Sequence, residues 1–428
     1  MKAGIATLGC KVNQYESQVM MDMLCANGFE PVNEGESADV FIVNSCTVTG
    51  TSDKKVRQTV RRARREHPDA VILLTGCMPQ AFPDECAAIE EADVIFGNTN
   101  RARLLDYIGE FLRTHQRIVD ITPHGKTYGD ESSVSGIRER TRAYLKIEDG
   151  CNRFCTYCII PYARGRVRSR SIEDIAAEAR RIGQRCREVV LVGINLSAYG
   201  SDIGTDLLAA VNAAASADGI ERVRLGSLEP DLTPDSLIDG LAAQPKFCPQ
   251  FHLALQSGCD ETLKRMNRHY DTAQFRHVCE KIRRTFDNPS VTTDIMVGFA
   301  GETDEEFAKS LDFVREIGFA RAHVFAYSRR PGTRADSFPH QVAESVKHTR
   351  SQRMMQICDE TAAAFLQTQV GRQVTVLAER EVSPGWFEGY TENYTPALIP
   401  GNGLGGKIIS AMGMEVRDGF LICEPLAN

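Results

Sequence analysis

Three thiols within eight residues, in Cys151-Asn152-Arg153-Phe154-Cys155-Thr156-Tyr157-Cys158, constrain this chain more than any other stretch. They follow directly on the apolar, strand-like run Ala143-Tyr144-Leu145-Lys146-Ile147. Thiolates this close together can wrap one metal centre. A structural zinc ion is closed by four protein ligands, and a four-iron cluster also has four corners to fill. Three local cysteines without an evident fourth suggest a cluster with one iron left open, where chemistry can happen. A zinc knuckle and inert buried thiols are the alternatives.

The chain has 14 cysteines in 428 residues, and residues 1–30 contain no long apolar segment of the kind a secretory signal carries. A cytoplasmic location is expected. Thiols there stay reduced, so metal ligation is a better use for some of them than a disulfide framework. Val71-Ile72-Leu73-Leu74 is far too short to span a bilayer, and no membrane partner is expected. Length suggests about two to three domains of ~150 residues. The net charge of −7 argues against a uniformly basic nucleic-acid binder. The charge is uneven, however: residues 54–65 hold seven Lys or Arg and no acid, and residues 138–170 hold nine basic and three acidic residues. Two basic patches on an acidic body can recruit phosphates locally.

The spacing Cys-x3-Cys-x2-Cys behind a first strand, with the aromatic Tyr157 before the third cysteine, resembles the radical S-adenosylmethionine (SAM) enzymes. The flanking Asp149-Gly150-Cys151 and Ile159-Ile160-Pro161-Tyr162-Ala163-Arg164-Gly165 resemble their methylthiotransferase branch. The resemblance implies a 4Fe-4S cluster on the catalytic Cys151, Cys155 and Cys158, with SAM on its open iron. It makes Tyr157 a packing partner for the SAM adenine or a brace for its loop.

Residues 1–120 repeat one pattern three times. Lys2-Ala3-Gly4-Ile5-Ala6 precedes Cys10, Val40-Phe41-Ile42-Val43 precedes Cys46 and Val71-Ile72-Leu73-Leu74 precedes Cys77. A helix-like segment follows each cysteine, apart from a short Met78-Pro79 turn after the third. In a doubly wound parallel α/β domain such loops share the carboxyl edge of the sheet, where these folds bind ligands, so the three thiols would converge. Cys25 and Cys86 fall inside helical patterns and read as core. Methylthiotransferases carry such an amino-terminal domain, and the resemblance implies an auxiliary 4Fe-4S cluster on Cys10, Cys46 and Cys77, making two clusters. Lys54 to Arg65 reads as a basic helix with Arg57, Arg61 and Arg65 on one face, either a solvated face or a contact for tRNA phosphates. Residues 121–138 are polar and rich in breakers, as a linker is.

Over 139–368 the strand and helix rhythm resumes, with β runs at 143–149, 189–194, 222–228, 250–255, 291–299 and 321–327. Alternation implies parallel pairing, and six units resemble the open (β/α)6 partial barrel of radical SAM enzymes. In α/β barrels the site lies at the carboxyl ends of the strands. By the resemblance, Gly193 and Asn195 face the amino end of SAM. Glu229, Gln256 and Ser257 line the cofactor or substrate, and Asp294 to Gly298 flanks the adenosine. The family usually has proline where Ala300 stands. Turns and helix caps also use glycines and acids at strand ends. Arg164, Arg166, Arg168 and Arg170 alternate; if extended, all four point to one side, a basic comb for RNA phosphates, since residues 159–170 hold no acid. Cys186, Cys248, Cys259 and Cys279 lack ligand spacing and read as structural.

A helical stretch from about Ala343 to Thr368 leads into short strands separated by Gly and Pro turns over 369–428. This tail reads as a small β barrel related to oligonucleotide-binding folds, and its place after the core resembles the TRAM domain. With four basic and seven acidic residues over 370–428 it attracts phosphate poorly as a whole. Trp386, Tyr390 and Tyr394 either stack on bases or form barrel core.

Within the family, Thr7-Leu8-Gly9-Cys10-Lys11-Val12-Asn13-Gln14-Tyr15-Glu16-Ser17 and Asn44-Ser45-Cys46-Thr47-Val48-Thr49 most resemble the branch that thiomethylates N6-threonylcarbamoyladenosine at position 37 of tRNA. The isopentenyladenosine branch normally has Gly-Cys-Gln-Met-Asn there, and the branch acting on a ribosomal-protein aspartate Gly-Cys-Pro-Lys-Asn. The resemblance implies SAM cleavage to a 5′-deoxyadenosyl radical, hydrogen removal from C2 of the base and insertion of methylated sulfur from the second cluster. It implies the tRNA anticodon loop, an electron donor and a sulfur source as partners.

Overall fold

The computed structural model describes residues 1–33, 35–129 and 141–426; residues 130–138 of the expected linker lie outside them. Five parallel strands open the chain: β1 (Lys2–Thr7), β2 (Val40–Ser45), β3 (Val71–Gly76), β4 (Val94–Phe96) and β5 (Ile118–Asp120). They stand side by side in sequence order, and a two-residue strand, Glu30–Pro31, flanks β1 on the outside. β3 is buried along its whole length because helices cover both faces of the sheet. Helix α1 (Lys11–Ala26) packs Met20 and Leu24 on one face with Ile42, Leu73 and Phe96. Helix α2 (Gly50–Glu66) packs Val56, Val60 and Ala63 on the other with Val43, Ile72 and Leu74.

From β1 the chain runs outward to Glu30–Pro31 and then returns past β1 to β2, so the winding reverses between β1 and β2. A crevice opens at the carboxyl ends of the strands at such a reversal. Cys10 and Cys46 leave the sheet on its two sides. Cys77 opens a short helix, α3 (Cys77–Ala81), where the sequence predicts a turn; Pro79 fits because a first helical turn has no intrahelical use for its missing N–H.

Six more parallel strands follow in sequence order: β6 (Arg142–Lys146), β7 (Glu188–Val192), β8 (Arg222–Leu225), β9 (Gln250–Leu253), β10 (Ser290–Val297) and β11 (Arg321–Ala326). β8 pairs with β7 and stops before Gly226; the chain resumes as Ser227–Leu228, which pairs with β9. That break bends the strands into an open half-barrel. Leu145, Leu191, Leu225, Leu253 and Val291 pack outward against the crossover helices. The alternation of a strand turns Tyr144, Val190 and Val192 to the concave side, where Val12 of α1 packs with Val190 and Val192. The amino-terminal domain thus docks on the half-barrel through α1, and α3 packs on a second short helix from the cysteine loop, α4 (Ile160–Arg164).

A long helix, α5 (Glu344–Gln367), leads to β12 (Gln373–Ser383), β13 (Trp386–Thr391), β14 (Pro396–Pro400), β15 (Ile408–Arg417) and β16 (Phe420–Pro425). They close a barrel in the order β12-β13-β14-β16-β15. The barrel sits under the amino ends of the half-barrel strands. Arg222 Nη2 donates to Thr375 O at 2.5 Å, and Arg224 donates to Glu392 O at 2.6 Å and Thr391 O at 2.8 Å. Tyr390 and Tyr394 stack on each other with centroids 4.5 Å apart, and the Arg142 guanidinium lies over both rings. These tyrosines therefore form the joint between barrel and half-barrel. Among the described residues no helix is long and apolar enough to cross a membrane.

Candidate active site: two thiol triads at joined sheet edges

Cys10, Cys46 and Cys77 come together because two glycines let their loops close. Gly9 has φ 123°, and a Cβ there would lie 2.9 Å from Cys46 Cβ. Gly76 has φ 101°, and its Cβ would meet Ser45 O at 2.5 Å; only glycine tolerates both the conformation and the approach. Hydrogen bonds then tie each loop to the next. Buried Asn13 accepts from Cys10 Sγ at 3.3 Å and donates to Ser45 O at 3.1 Å. Ser45 Oγ donates to Thr75 O at 2.5 Å and accepts from Met78 N at 3.1 Å. Cys10 stays exposed while Cys46 and Cys77 are buried. Burial pushes the Cys77 thiol up to about 12, and Cys46 and Cys10 push the same way against Arg164.

The second triad lies on the loop after β6. Cys151 N donates to Gly165 O at 3.0 Å, and Thr156 N to Met266 O at 3.0 Å. Asn267 Nδ2 donates to Arg153 O at 3.3 Å and Phe154 O at 3.2 Å, so the loop rests on the turn at 265–267. Burial raises Cys151 to about 11, and neighbouring Cys155 adds to it. Burial and Cys155 raise Cys158 further. Thiols that are buried and repel one another when charged ionise against a strongly cationic centre, and both triads fit one. Among the described residues no three His, Cys, Asp or Glu side chains close on a single ion; a four-iron core is larger and sets its thiolates wider apart.

Buried polar groups without partners lie at the carboxyl ends of the half-barrel strands. Asn195 Nδ2 lies 3.7 Å from Cys151 Sγ, while its buried Oδ1 has no hydrogen-bond partner. Gln256 Oε1 is buried and unpartnered in the same way. An orphaned acceptor beside Cys151 and a second just past the carboxyl end of β9 fit SAM, which offers an ammonium and ribose hydroxyls. Glu148 Oε2 accepts from Ile194 N and Asn195 N, both at 2.8 Å, and shapes the Gly193 turn, where a Cβ would lie 2.6 Å from that oxygen. Burial raises Glu148 to about 8 against those two donors. Glu229 pairs with Arg268, whose Nη1 lies 3.1 Å from Cys155 Sγ. Ser257 is buried and accepts from Cys259 N at 3.3 Å, a turn contact. Gly298 N donates to Glu302 Oε1 at 2.9 Å. Tyr157 meets Phe299 edge-on at 6.3 Å, which braces the loop. Asp294, on the concave side, holds His252 Nε2 at 3.4 Å.

A buried ionic network joins the triads. Arg164 is fully buried; its Nε donates to Cys77 Sγ at 3.2 Å, and its guanidinium pairs with Glu16 of α1 and with Asp149 at 3.3 Å. Burial alone would raise Glu16, but Arg101, Arg164 and Lys146 hold it down at about 2.

Comparison with known proteins places this arrangement. Residues 2–97 match a model described as uncharacterized protein family UPF0004, and residues 145–314 match the radical SAM superfamily. Threonylcarbamoyladenosine tRNA methylthiotransferase MtaB of Bacillus subtilis (strain 168) is 37% identical over 415 residues, 94% of this chain and 91% of that protein. The chain belongs to the radical SAM methylthiotransferase family. A second relative in the family, tRNA-2-methylthio-N(6)-dimethylallyladenosine synthase of Pelotomaculum thermopropionicum, is 35% identical over 95% of this chain and 94% of its own. The fold is shared with the radical SAM methyltransferase TsrM of Kitasatospora setae, with a TM-score of 0.58 at 14% identity over 78% of this chain and 76% of that one.

In this methylthiotransferase the expected basic comb does not form. Residues 160–164 are helical and only Arg168–Ser169 is strand, so the period of two fails. Arg164, Arg168 and Arg170 are buried, Arg168 near Asp149 and Arg170 on Glu178 at 2.7 Å. Arg166 alone is exposed, over the Phe154 ring at 4.4 Å. On α2, Arg57 pairs with Glu85 at 2.6 Å and Arg61 with Glu91 at 3.1 Å, while Arg65 is exposed. Sequence reasoning missed Arg268, which carries no local signal and acts on a cysteine brought close by the fold, and Asn13, whose signal lay three residues from its cysteine in the run Cys10-Lys11-Val12-Asn13.

Proposed function

We propose that this methylthiotransferase converts N6-threonylcarbamoyladenosine at position 37, in the anticodon loop of tRNA, to its 2-methylthio derivative, using SAM and two 4Fe-4S clusters. The observation that carries the proposal is the convergence of two thiol triads from separate sheets, joined through Arg164. The nucleoside follows from relatives named for it at 37% identity. When bound, the clusters and SAM supply one-electron chemistry able to break an unactivated C–H bond, together with the sulfur to be inserted, which side chains cannot provide.

The chain's own residues hold and orient. Cys151, Cys155 and Cys158 would hold one cluster and Cys10, Cys46 and Cys77 the other. Asn195 and Gln256 would take donors of SAM, and Arg268 would keep positive charge at Cys155. Exposed Cys10 leaves the auxiliary side open to a sulfur source, and an electron donor must reach the other cluster from outside. Arg65, the α2 arginines Arg57 and Arg61, and Arg166 stacked on Phe154 are the candidate RNA contacts. The surface pairs of Arg57 and Arg61 contribute little, so phosphates can displace them.

Nucleoside mass spectrometry of total tRNA from cells lacking the gene, beside the same cells with it restored, tests the reading. Loss and recovery of 2-methylthio-N6-threonylcarbamoyladenosine is expected. Loss of the dimethylallyl nucleoside instead would assign the other tRNA branch, and unchanged tRNA would reject both.

A further inference from the structure

Arg164 closes α4 and Cys77 opens α3, and these two short helices pack on each other. Arg164 is fully buried, and Cys77 is nearly so. The guanidinium is engaged on three sides. Nη1 and Nη2 grip the two carboxylate oxygens of Glu16, Nη2 at 3.0 Å, and Nη1 also donates to Asp149 at 3.3 Å. A planar fork held in this way cannot turn, so the remaining donor, Nε–H, keeps a fixed direction. It meets Cys77 Sγ at 3.2 Å. The ion pairs to Glu16 and Asp149 neutralise the buried charge; the contact with sulfur is a separate use of the same side chain.

A hydrogen bond and a positive charge at a ligand sulfur stabilise the more negative, reduced form of an iron–sulfur cluster, and so raise its potential. Out of bulk water the effect is stronger than at a surface. The proposed reaction needs such an electron acceptor. A carbon radical at C2 brings one electron and a methylthiolate brings two, while the new C–S bond holds two. The sulfur leaves iron as that bond forms, and the third electron reduces the auxiliary cluster by one. Resting on the two-cluster reading above, we propose that Arg164 is a positioning residue whose Nε–H holds the Cys77 thiolate and raises the potential at which the auxiliary cluster takes up that electron.

The test is a redox titration followed by electron paramagnetic resonance. It uses the full chain carrying Cys151→Ala, Cys155→Ala and Cys158→Ala, reconstituted so that it holds the auxiliary cluster alone. In that background Arg164→Gln should lower the midpoint. At a fixed potential the ratio of reduced to oxidised cluster should fall about tenfold, the worth of a hydrogen bond to a charged group, which is about 59 mV for a one-electron couple. Arg164→Lys keeps a cation on Glu16, and with it the fold, but has no donor at the Nε position; its midpoint should fall in the same direction by less. Arg101→Gln removes another cation from Glu16, at 3.2 Å, while leaving Nε of Arg164 in place, and should leave the midpoint near its starting value. An unmoved midpoint in the Arg164 variants, their failure to hold the cluster at all, or an equal shift in Arg101→Gln overturns the proposal. Iron content before Arg164 is changed separates the outcomes: with about four irons per chain only the Arg164 role fails, and with none the two-cluster reading fails with it.

Discussion

At the scale of single residues, the same side-chain type serves two ends within three positions. Arg164 is fully buried among Glu16, Asp149 and Cys77, while Arg166 is exposed on Phe154. Breaking a buried pair leaves an uncompensated charge and costs about 3–5 kcal/mol, whereas surface changes stay within about 0.5 kcal/mol. Arg164→Met should therefore lower the unfolding free energy by roughly that larger amount, and Arg166→Ala should leave denaturation unchanged but weaken RNA binding. The sequence concealed this difference because no acid lies near in the chain: the carboxylates that neutralise Arg164 come from 148 and 15 residues away. Asn195 makes a separate prediction. Its unpartnered Oδ1 should be filled by a SAM donor, so Asn195→Ala should weaken SAM binding to the reconstituted protein by about tenfold or more.

At the scale of elements, the parallel strands were legible because strands covered on both faces read as near-continuous apolar runs; the runs expected at 189–194 and 291–299 appear as Glu188–Val192 and Ser290–Val297. The three strand-end cysteines were legible for the same reason. The comb was not, since α4 interrupts it. Nor was the barrel joint, which depends on Arg222 and Arg224 reaching carbonyls more than 150 residues away. The convergence of the auxiliary loops depends on Gly76. Gly76→Ala forces a positive φ on a Cβ, at about 1–3 kcal/mol, and drives it into Ser45 O. The variant should melt earlier and retain less iron after reconstitution.

At the scale of the whole molecule, Glu188 helps hold the half-barrel to the carboxy-terminal barrel. Burial opposes its charge, but Arg224, Arg222 and Arg142 prevail and hold its carboxyl below its ordinary 4.5. A lowered folded-state value contributes stability in full above the unfolded value and loses it as pH falls through the folded one. Melting temperature should therefore drop on acidification below about pH 4.5, and Glu188→Gln should start lower and lose less.

The two triads should separate by mutation: Cys151→Ala should abolish SAM cleavage, and Cys46→Ala should leave cleavage uncoupled from thiolation. The most direct measurement uses reconstituted protein, SAM and an N6-threonylcarbamoyladenosine stem-loop deuterated at C2. Deuterium is expected in the 5′-deoxyadenosine released and is lost from the thiolated base; 5′-deoxyadenosine free of deuterium beside unchanged RNA would refute hydrogen removal from C2 by this enzyme.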